Sequence, residues 1–257
     1  MLLMTMDAQL APDPGETLDR LAGDWWIFQL QAGHRYATDD VLTAFTGVEA
    51  CPAAARVLDL GAGVGSVGLM ALLCLPSSSR LTCVERQTTS LSLLRKTLRV
   101  NQLESRVELC PGDLREPDVL DGQFDLILAN PPYLPPGSAW PSPQPQRAQA
   151  RFELHGDIFD YCRTAAAHLA PGGRFCFCHA AADHRPPRAV AAAGLTLRCR
   201  REVVFRRGRL PMLALYTCGA ECEPPSGAQQ SEPLVIREAD GERSEAHRAI
   251  RRRMWIE

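Results

Sequence analysis

The order of apolar runs in this sequence predicts an α/β fold, a mostly parallel sheet with helices on both faces and an antiparallel pair at its C-terminal end. Two observations carry that prediction. From Arg56 onward, short strand-length apolar runs alternate with helix-length segments, the rhythm of parallel strands joined by crossover helices. After Gly194 the rhythm changes, because the strand-like runs Thr196 to Phe205 and Leu210 to Cys218 are separated only by Arg206 to Arg209, which reads as a hairpin.

In chain order, the predicted parallel strands are Arg56 to Leu60, Arg80 to Val84, Arg106 to Cys110, Phe124 to Ala129 and Arg174 to His179. With the terminal pair they make a seven-stranded sheet. Between them, Ser66 to Leu75, Thr88 to Asn101 and Gly156 to Leu169 are long enough for helices, the last closed by Pro171-Gly172-Gly173. The stretch Pro131 to Pro145 holds seven prolines and can be neither helix nor strand throughout, so it is expected as a long, stiff loop directly after a strand. Ala220 to Pro233, rich in proline, glycine, serine and glutamine, is expected as a linker, and Glu238 to Trp255 as a charged, helical tail.

The chain has 257 residues and 46% hydrophobic content, enough for one large domain with short extensions. A net charge of −2 gives no global positive field, so any surface for nucleic acid must be local. Met1 to Leu10 has neither a basic start nor a cleavage-like site, and no apolar run reaches membrane-span length, so a cytoplasmic protein with no membrane partner is expected. Ten cysteines lie mostly singly in apolar stretches, as reduced core thiols do. Cys176 and Cys178 share one face of a strand and are expected to pack against a helix. Neither they nor Cys218 and Cys222 have zinc-ligand spacing, and no metal is predicted.

The strongest motif is Val57-Leu58-Asp59-Leu60-Gly61-Ala62-Gly63-Val64-Gly65, a strand running into a glycine-rich turn that opens a helix. Glycines there permit a tight turn and close approach of a ligand to backbone. By itself such a turn also fits a nicotinamide or flavin site. The in-frame pattern D-x-G-x-G-x-G resembles the first motif of class I S-adenosylmethionine-dependent methyltransferases, which implies a Rossmann-like fold and S-adenosyl-L-methionine as cofactor. In that resemblance Gly61, Gly63 and Gly65 pack against the amino acid part of the cofactor and Asp59 helps to position it. Glu85, 24 residues beyond Gly61, is an acid at a strand end that can accept both ribose hydroxyl hydrogens. The same resemblance implies that Asp113, in Gly112-Asp113-Leu114, lies near the cofactor's adenine amino group.

Asn130-Pro131-Pro132-Tyr133 follows the apolar run Phe124 to Ala129, at the strand end where an open α/β sheet presents ligands. It resembles the N-P-P-Y signature of methyltransferases acting on amino groups of adenine, guanine or glutamine. An exocyclic amino nitrogen is a poor nucleophile because its lone pair is delocalised. The Asn130 side-chain oxygen and the Pro131 carbonyl can each accept one amino hydrogen and localise that pair, so neither metal nor covalent intermediate is required. Pro131 and Pro132 stiffen the turn, and Tyr133 offers a face for base stacking.

Most of the chain is similar to one bacterial family, the adenine-N(6) methyltransferases of a valine tRNA. The similarity runs through Leu18-Asp19-Arg20-Leu21, Gly33 to Asp40, Ala150 to Gly156 and Pro233 to Arg237. It implies that Tyr36 and Asp39 belong to the cofactor pocket, and it divides the chain into an N-terminal cap region (1–50), the methyltransferase domain (51–219) and a linker with a charged tail (220–257). The expected partner is tRNA or another RNA. Arg198 to Arg209 holds six arginines, with Arg206, Arg207 and Arg209 as candidate contacts, and Arg251-Arg252-Arg253 adds a second group, since arginine grips phosphate bidentately. His34, His155 and His168 show no partner spacing and read as ordinary residues. A release-factor glutamine methyltransferase, an RNA guanine amino-methyltransferase and a non-catalytic RNA-binding relative share parts of this pattern and remain alternatives.

Overall fold

The structure, a computed structural model, describes residues 11–138, 140, 142–220 and 229–256. The opening ten residues, Cys222 and residues 221–228 of the expected linker lie outside them.

An eight-stranded sheet forms the centre. Its parallel part comprises β3 (Arg56–Leu60), β4 (Arg80–Glu85), β5 (Val107–Pro111), β6 (Phe124–Ala129) and β7 (Leu169–Ala180), in the spatial order β5-β4-β3-β6-β7. β9 (Leu213–Gly219) lies antiparallel beside β7, and β8 (Thr196–Val204) antiparallel beside β9, as the hairpin pattern predicts. The helices are α1 (Thr38–Ala50), α2 (Ser66–Cys74), α3 (Thr88–Val100), α4 (Pro145–Arg151), α5 (Ile158–His168), α6 (Arg185–Ala192) and α7 (Glu245–Arg253). None is long and apolar enough to cross a membrane.

The strand period of two divides the core between the faces of the sheet. Val57, Leu126, Leu128, Cys176 and Cys178 face one cluster, shared with α1, α2 and α3. Leu58, Leu60, Ile127, Phe175 and Phe177 face the other, shared with α5 and α6. Cys176 and Cys178 thus pack under α1, as expected of a one-face pair. α1 lies close to the sheet because Gly47 has no side chain: a Cβ there would stand 2.4 Å from Leu128. On the opposite face Phe177 stacks on Tyr216 with ring centroids 4.7 Å apart.

Several elements go beyond the sequence reading, the helices α1, α4 and α6 among them. The N-terminal region contains a hairpin, β1 (Glu16–Ala22) and β2 (Trp25–Leu30), laid on α3. Asn101 holds it from both sides, accepting from Trp26 N at 2.8 Å and donating to Trp26 O at 2.7 Å, and Thr97 Oγ1 accepts from Phe28 N at 3.0 Å. Residues 229–233, expected as linker, instead belong to an eighth strand, β10 (Gln229–Val235), parallel to β8. Pro233 argues against a strand on sequence grounds, yet β10 is an edge strand and its register shifts between Ser231 and Leu234, which is where a sheet tolerates proline. The tail is helical only from Glu245, because residues 237–243 fold back on themselves through Gly241 at φ +98°.

Because β8 ends where β9 and β7 turn, the β8–β9 tip (residues 205–212) and the end of β10 rise at the carboxyl edge of the parallel strands. α7 follows from there, burying His247, Ile250 and Met254 at helical spacing and leaving its arginine-rich face outward.

Candidate active site

The carboxyl edge of β3, β4 and β6 opens into a cleft of about 940 Å³, mouth included. Its floor is the turn after β3, where Gly61, Gly63 and Gly65 have φ of +68°, +57° and +87°, conformations that favour glycine. A Cβ on Gly61 would stand 2.5 Å from the Tyr161 hydroxyl, whereas one on Gly63 would meet nothing within 4 Å, because the cleft itself lies there. Asp59, fully buried on β3, accepts from Gly68 N at 2.8 Å and so ties the turn to the start of α2. Burial raises its carboxyl to about 7, the Gly68 N–H opposing and the nearby Glu85 adding to the rise.

Glu85 stands at the end of β4 with Oε2 accepting from Gly63 N at 2.8 Å and Oε1 from Gln87 N at 2.6 Å. Each carboxylate oxygen keeps a second lone pair, so a diol facing the cleft can still be bound. Asp113 lines the cleft after β5, where Gly112 N donates to Glu85 O at 3.1 Å. It is gripped by Arg115 Nε and Nη2 at 2.9 and 2.7 Å, with Arg86 Nε at 3.6 Å, and the Arg115 bonds hold it below the ordinary carboxylate range. Open space at Gly63, the acids Glu85 and Asp113 at neighbouring strand ends and apolar walls from Val64, Val67 and Leu114 together fit a nucleoside joined to a charged amino acid, the shape of S-adenosyl-L-methionine.

At the end of β6 the Asn130 amide nitrogen donates to Asp39 Oδ2 at 3.0 Å and to Asp40 Oδ1 at 3.2 Å. Asp39 Oδ2 and Asp40 Oδ1 both accept here, which sets the amide nitrogen toward α1 and turns Oδ1 the other way, where the Cys178 thiol donates to it at 2.9 Å. Asp40 is itself held by Ser66 Oγ at 3.1 Å and Ala37 N at 2.8 Å. Full burial, then the Asp39 charge, pushes its carboxyl up to about 7.

The other residues of the motif take different places. Pro131 is buried and Pro132 lines the cleft. Tyr133 is half-buried and meets His179 edge-on, centroids 5.9 Å apart, and burial raises its hydroxyl to about 12. His179 is fully buried, and burial lowers it to about 4.

Tyr36 lines the cleft, whereas Asp39 reaches Asn130 and it is Asp40 that forms wall. Sequence reasoning missed Asp40, Cys178, Tyr161 and Gln146, and it passed over His34 and His155, which line the cleft. Gln146 Oε1 accepts from His34 N at 2.6 Å and so joins α4 to the segment before α1. The only sequence signal for Asp40 is its place in Thr38-Asp39-Asp40 at the head of α1.

Of the candidate RNA contacts, Arg206 donates to Ala239 O at 2.7 Å and Arg207 is paired with Glu238, so both brace the β8–β9 tip against residues 238–239. Arg209 is exposed on that tip.

A cleft of this kind beside an oriented asparagine invites comparison with known proteins. The sequence is 30% identical over 227 residues, 87% of this chain and 93% of the other, to a tRNA1(Val) (adenine(37)-N6)-methyltransferase of Shewanella amazonensis. The chain belongs to that methyltransferase family. A protein of the same name from Escherichia fergusonii is 28% identical over 78% of this chain and 80% of its own length. The family model of the Methyltransferase small domain matches residues 41–141, from α1 through the glycine turn and Asn130 to the proline loop.

Among solved structures the fold is similar to a predicted O-methyltransferase of Agrobacterium tumefaciens, with TM-score 0.63 at 19% identity over 86% of this chain and 98% of that one. It is also similar to the Thermus thermophilus 16S rRNA N2 G1207 methyltransferase in complex with AdoMet and guanosine, with TM-score 0.55 at 18% identity over 80% and 50% of the two chains. These likenesses place the family member on the class I methyltransferase fold.

Proposed function

We propose that this enzyme methylates the exocyclic nitrogen of an adenine in tRNA, adenine 37 of a valine tRNA being the first candidate, with S-adenosyl-L-methionine as donor. One observation carries the reading of the target group: Asn130 is held by two carboxylates, so its amide is oriented before any substrate arrives, with the oxygen on the Cys178 thiol. The family names of the relatives supply the nucleobase and the RNA.

Bound in the cleft, S-adenosyl-L-methionine supplies a methyl group on a positively charged sulfur. The rest falls to the chain. Glu85 accepts from the ribose hydroxyls while the backbone N–H groups of Gly63 and Gln87 keep it oriented. Gly61 to Gly65 let the amino acid end approach the backbone, and Asp113 receives the cofactor's adenine amino group. Asn130 Oδ1 and the Pro131 carbonyl accept the two amino hydrogens of the target, so its lone pair points along the methyl-transfer line. The Cys178 thiol shares the same oxygen and can yield to the substrate, since a thiol is a weak donor. One amino hydrogen leaves as a proton after transfer. The same reading places the enzyme in the cytoplasm, with its tRNA.

The test uses a valine tRNA transcript and three versions of position 37: adenine, guanine and purine lacking the amino group. Transfer of labelled methyl to the adenine transcript alone supports the reading. Equal labelling of all three would refute the assignment of the exocyclic nitrogen.

A further inference from the structure

A second cavity, about 860 Å³ with its mouth included, lies on the far side of Tyr36 from the cofactor cleft. Tyr36 lines both, and its hydroxyl donates to Arg20 O at 2.7 Å, which fixes it as the partition. The chain then runs from this partition through Ala37 and Thr38, also in the cavity wall, to Asp39 and Asp40 on Asn130. Whatever occupies the cavity therefore sits beside the target-nitrogen site.

Three features of the wall point to one ligand chemistry. Arg251 is half-buried with no carboxylate partner among the described residues, and Arg243 adds a charge of the same sign to its surroundings. His247 is 5% exposed and its Nδ1 has no hydrogen-bond partner, an orphaned polar atom in a wall already carrying Arg251, with Arg243 and Arg237 nearby. Such a wall receives an anion. The third feature is Trp255, which ends α7 in the left-handed conformation at φ +55° with 64% of its surface exposed. Its N–H and that of Ile256 close the helix on Arg252 O and Arg251 O, a geometry that favours glycine. A tryptophan whose backbone is held there against preference, with Gly23 N donating to its carbonyl at 2.7 Å, sets a flat apolar side chain at the rim.

We propose that this cavity receives a nucleotide of the RNA chain flanking the methylated adenine, its phosphate on Arg251 and His247 and its base stacked on Trp255. The inference rests on the reading of tRNA as substrate. It assigns docking to α7 and the N-terminal hairpin, whereas Arg206 and Arg207 brace the β8–β9 tip.

The test measures binding of a synthetic anticodon stem-loop containing the target adenine, together with methyl transfer to it, by the full chain. Arg251→Ala should weaken stem-loop binding about tenfold and make its salt dependence shallower by about one counterion, leaving the cofactor dissociation constant unchanged. Trp255→Gly should weaken it comparably without lowering Tm, a split that a merely structural tryptophan would not give. Arg248→Ala, on the outer face of α7 beside Glu245, serves as the control and should bind as the wild type. Wild-type RNA binding by Arg251→Ala and Trp255→Gly, with methyl transfer intact, would overturn the docking cavity alone. Absence of transfer to tRNA by the wild type would remove both readings, and inorganic phosphate binding as tightly as the stem-loop would overturn the RNA assignment.

Discussion

Asn130 Nδ2 lies 3.0 Å from Asp39 Oδ2, a contact that joins the end of β6 to the head of α1 across 91 residues of sequence. The amide is thereby turned before substrate binds, with its oxygen toward the Cys178 thiol, whose place the proposed target amino group would share or take. Removing the oxygen in Asn130→Ala should reduce turnover by about two orders of magnitude with little change in cofactor affinity. Asp39→Ala keeps the oxygen but loosens its orientation, and should cost about tenfold in turnover. Single-turnover rates beside cofactor titrations check both, and near-wild-type turnover in Asn130→Ala would refute its role.

Glu85→Ala should act on the other side of the reaction. With the proposed ribose acceptor gone, the cofactor dissociation constant should rise at least about tenfold, while turnover at saturating cofactor changes less. Calorimetry on the variant gives the answer, and an unchanged dissociation constant would exclude the ribose role.

Asp40 gives stability a pH signature. Its folded carboxyl titrates near 7 against 3.8 for the ordinary group, because burial and then the Asp39 charge disfavour ionisation. The folded state therefore holds the proton more tightly, and the contribution is full below about pH 4 and lost as pH rises through about 7. His179, lowered to about 4 by burial, acts in the opposite direction over an overlapping range, so the wild-type profile alone cannot separate them. The difference can: Asp40→Asn should gain stability relative to wild type between pH 5 and pH 8, measured by urea unfolding. A constant difference would contradict the buried-carboxyl account.

Asn101 straps the N-terminal hairpin to α3 through both backbone groups of Trp26. Asn101→Ala leaves those groups to find water at a half-buried site and should cost about 1–3 kcal/mol of stability. Hydrogen exchange should show the loss first in β1 and β2, and unchanged protection there would indicate that packing alone holds the hairpin.

The parallel strands and the glycine turn were legible because their signals are local: an apolar run, a turn that requires positive φ, an acid at a strand end. The places of Asn130 and Glu85 at strand ends lining the cleft were legible for the same reason. Asp40 and Cys178 were not, since nothing near either residue announces that β6 will set Asn130 between them, and a buried acid in a helix's first turn reads as a cap. β10 was hidden by Pro233, which an edge strand accommodates at its register break. Trp255 was hidden because left-handed backbone at a tryptophan has no sequence signature.

The most direct test of the central claim is methyl transfer from labelled S-adenosyl-L-methionine into bulk bacterial tRNA, followed by digestion and nucleoside analysis. The structure and family predict label in N6-methyladenosine, its rate of appearance cut about a hundredfold by Asn130→Ala. Label in methylated guanosine, label in protein glutamine, or none in tRNA would contradict the account.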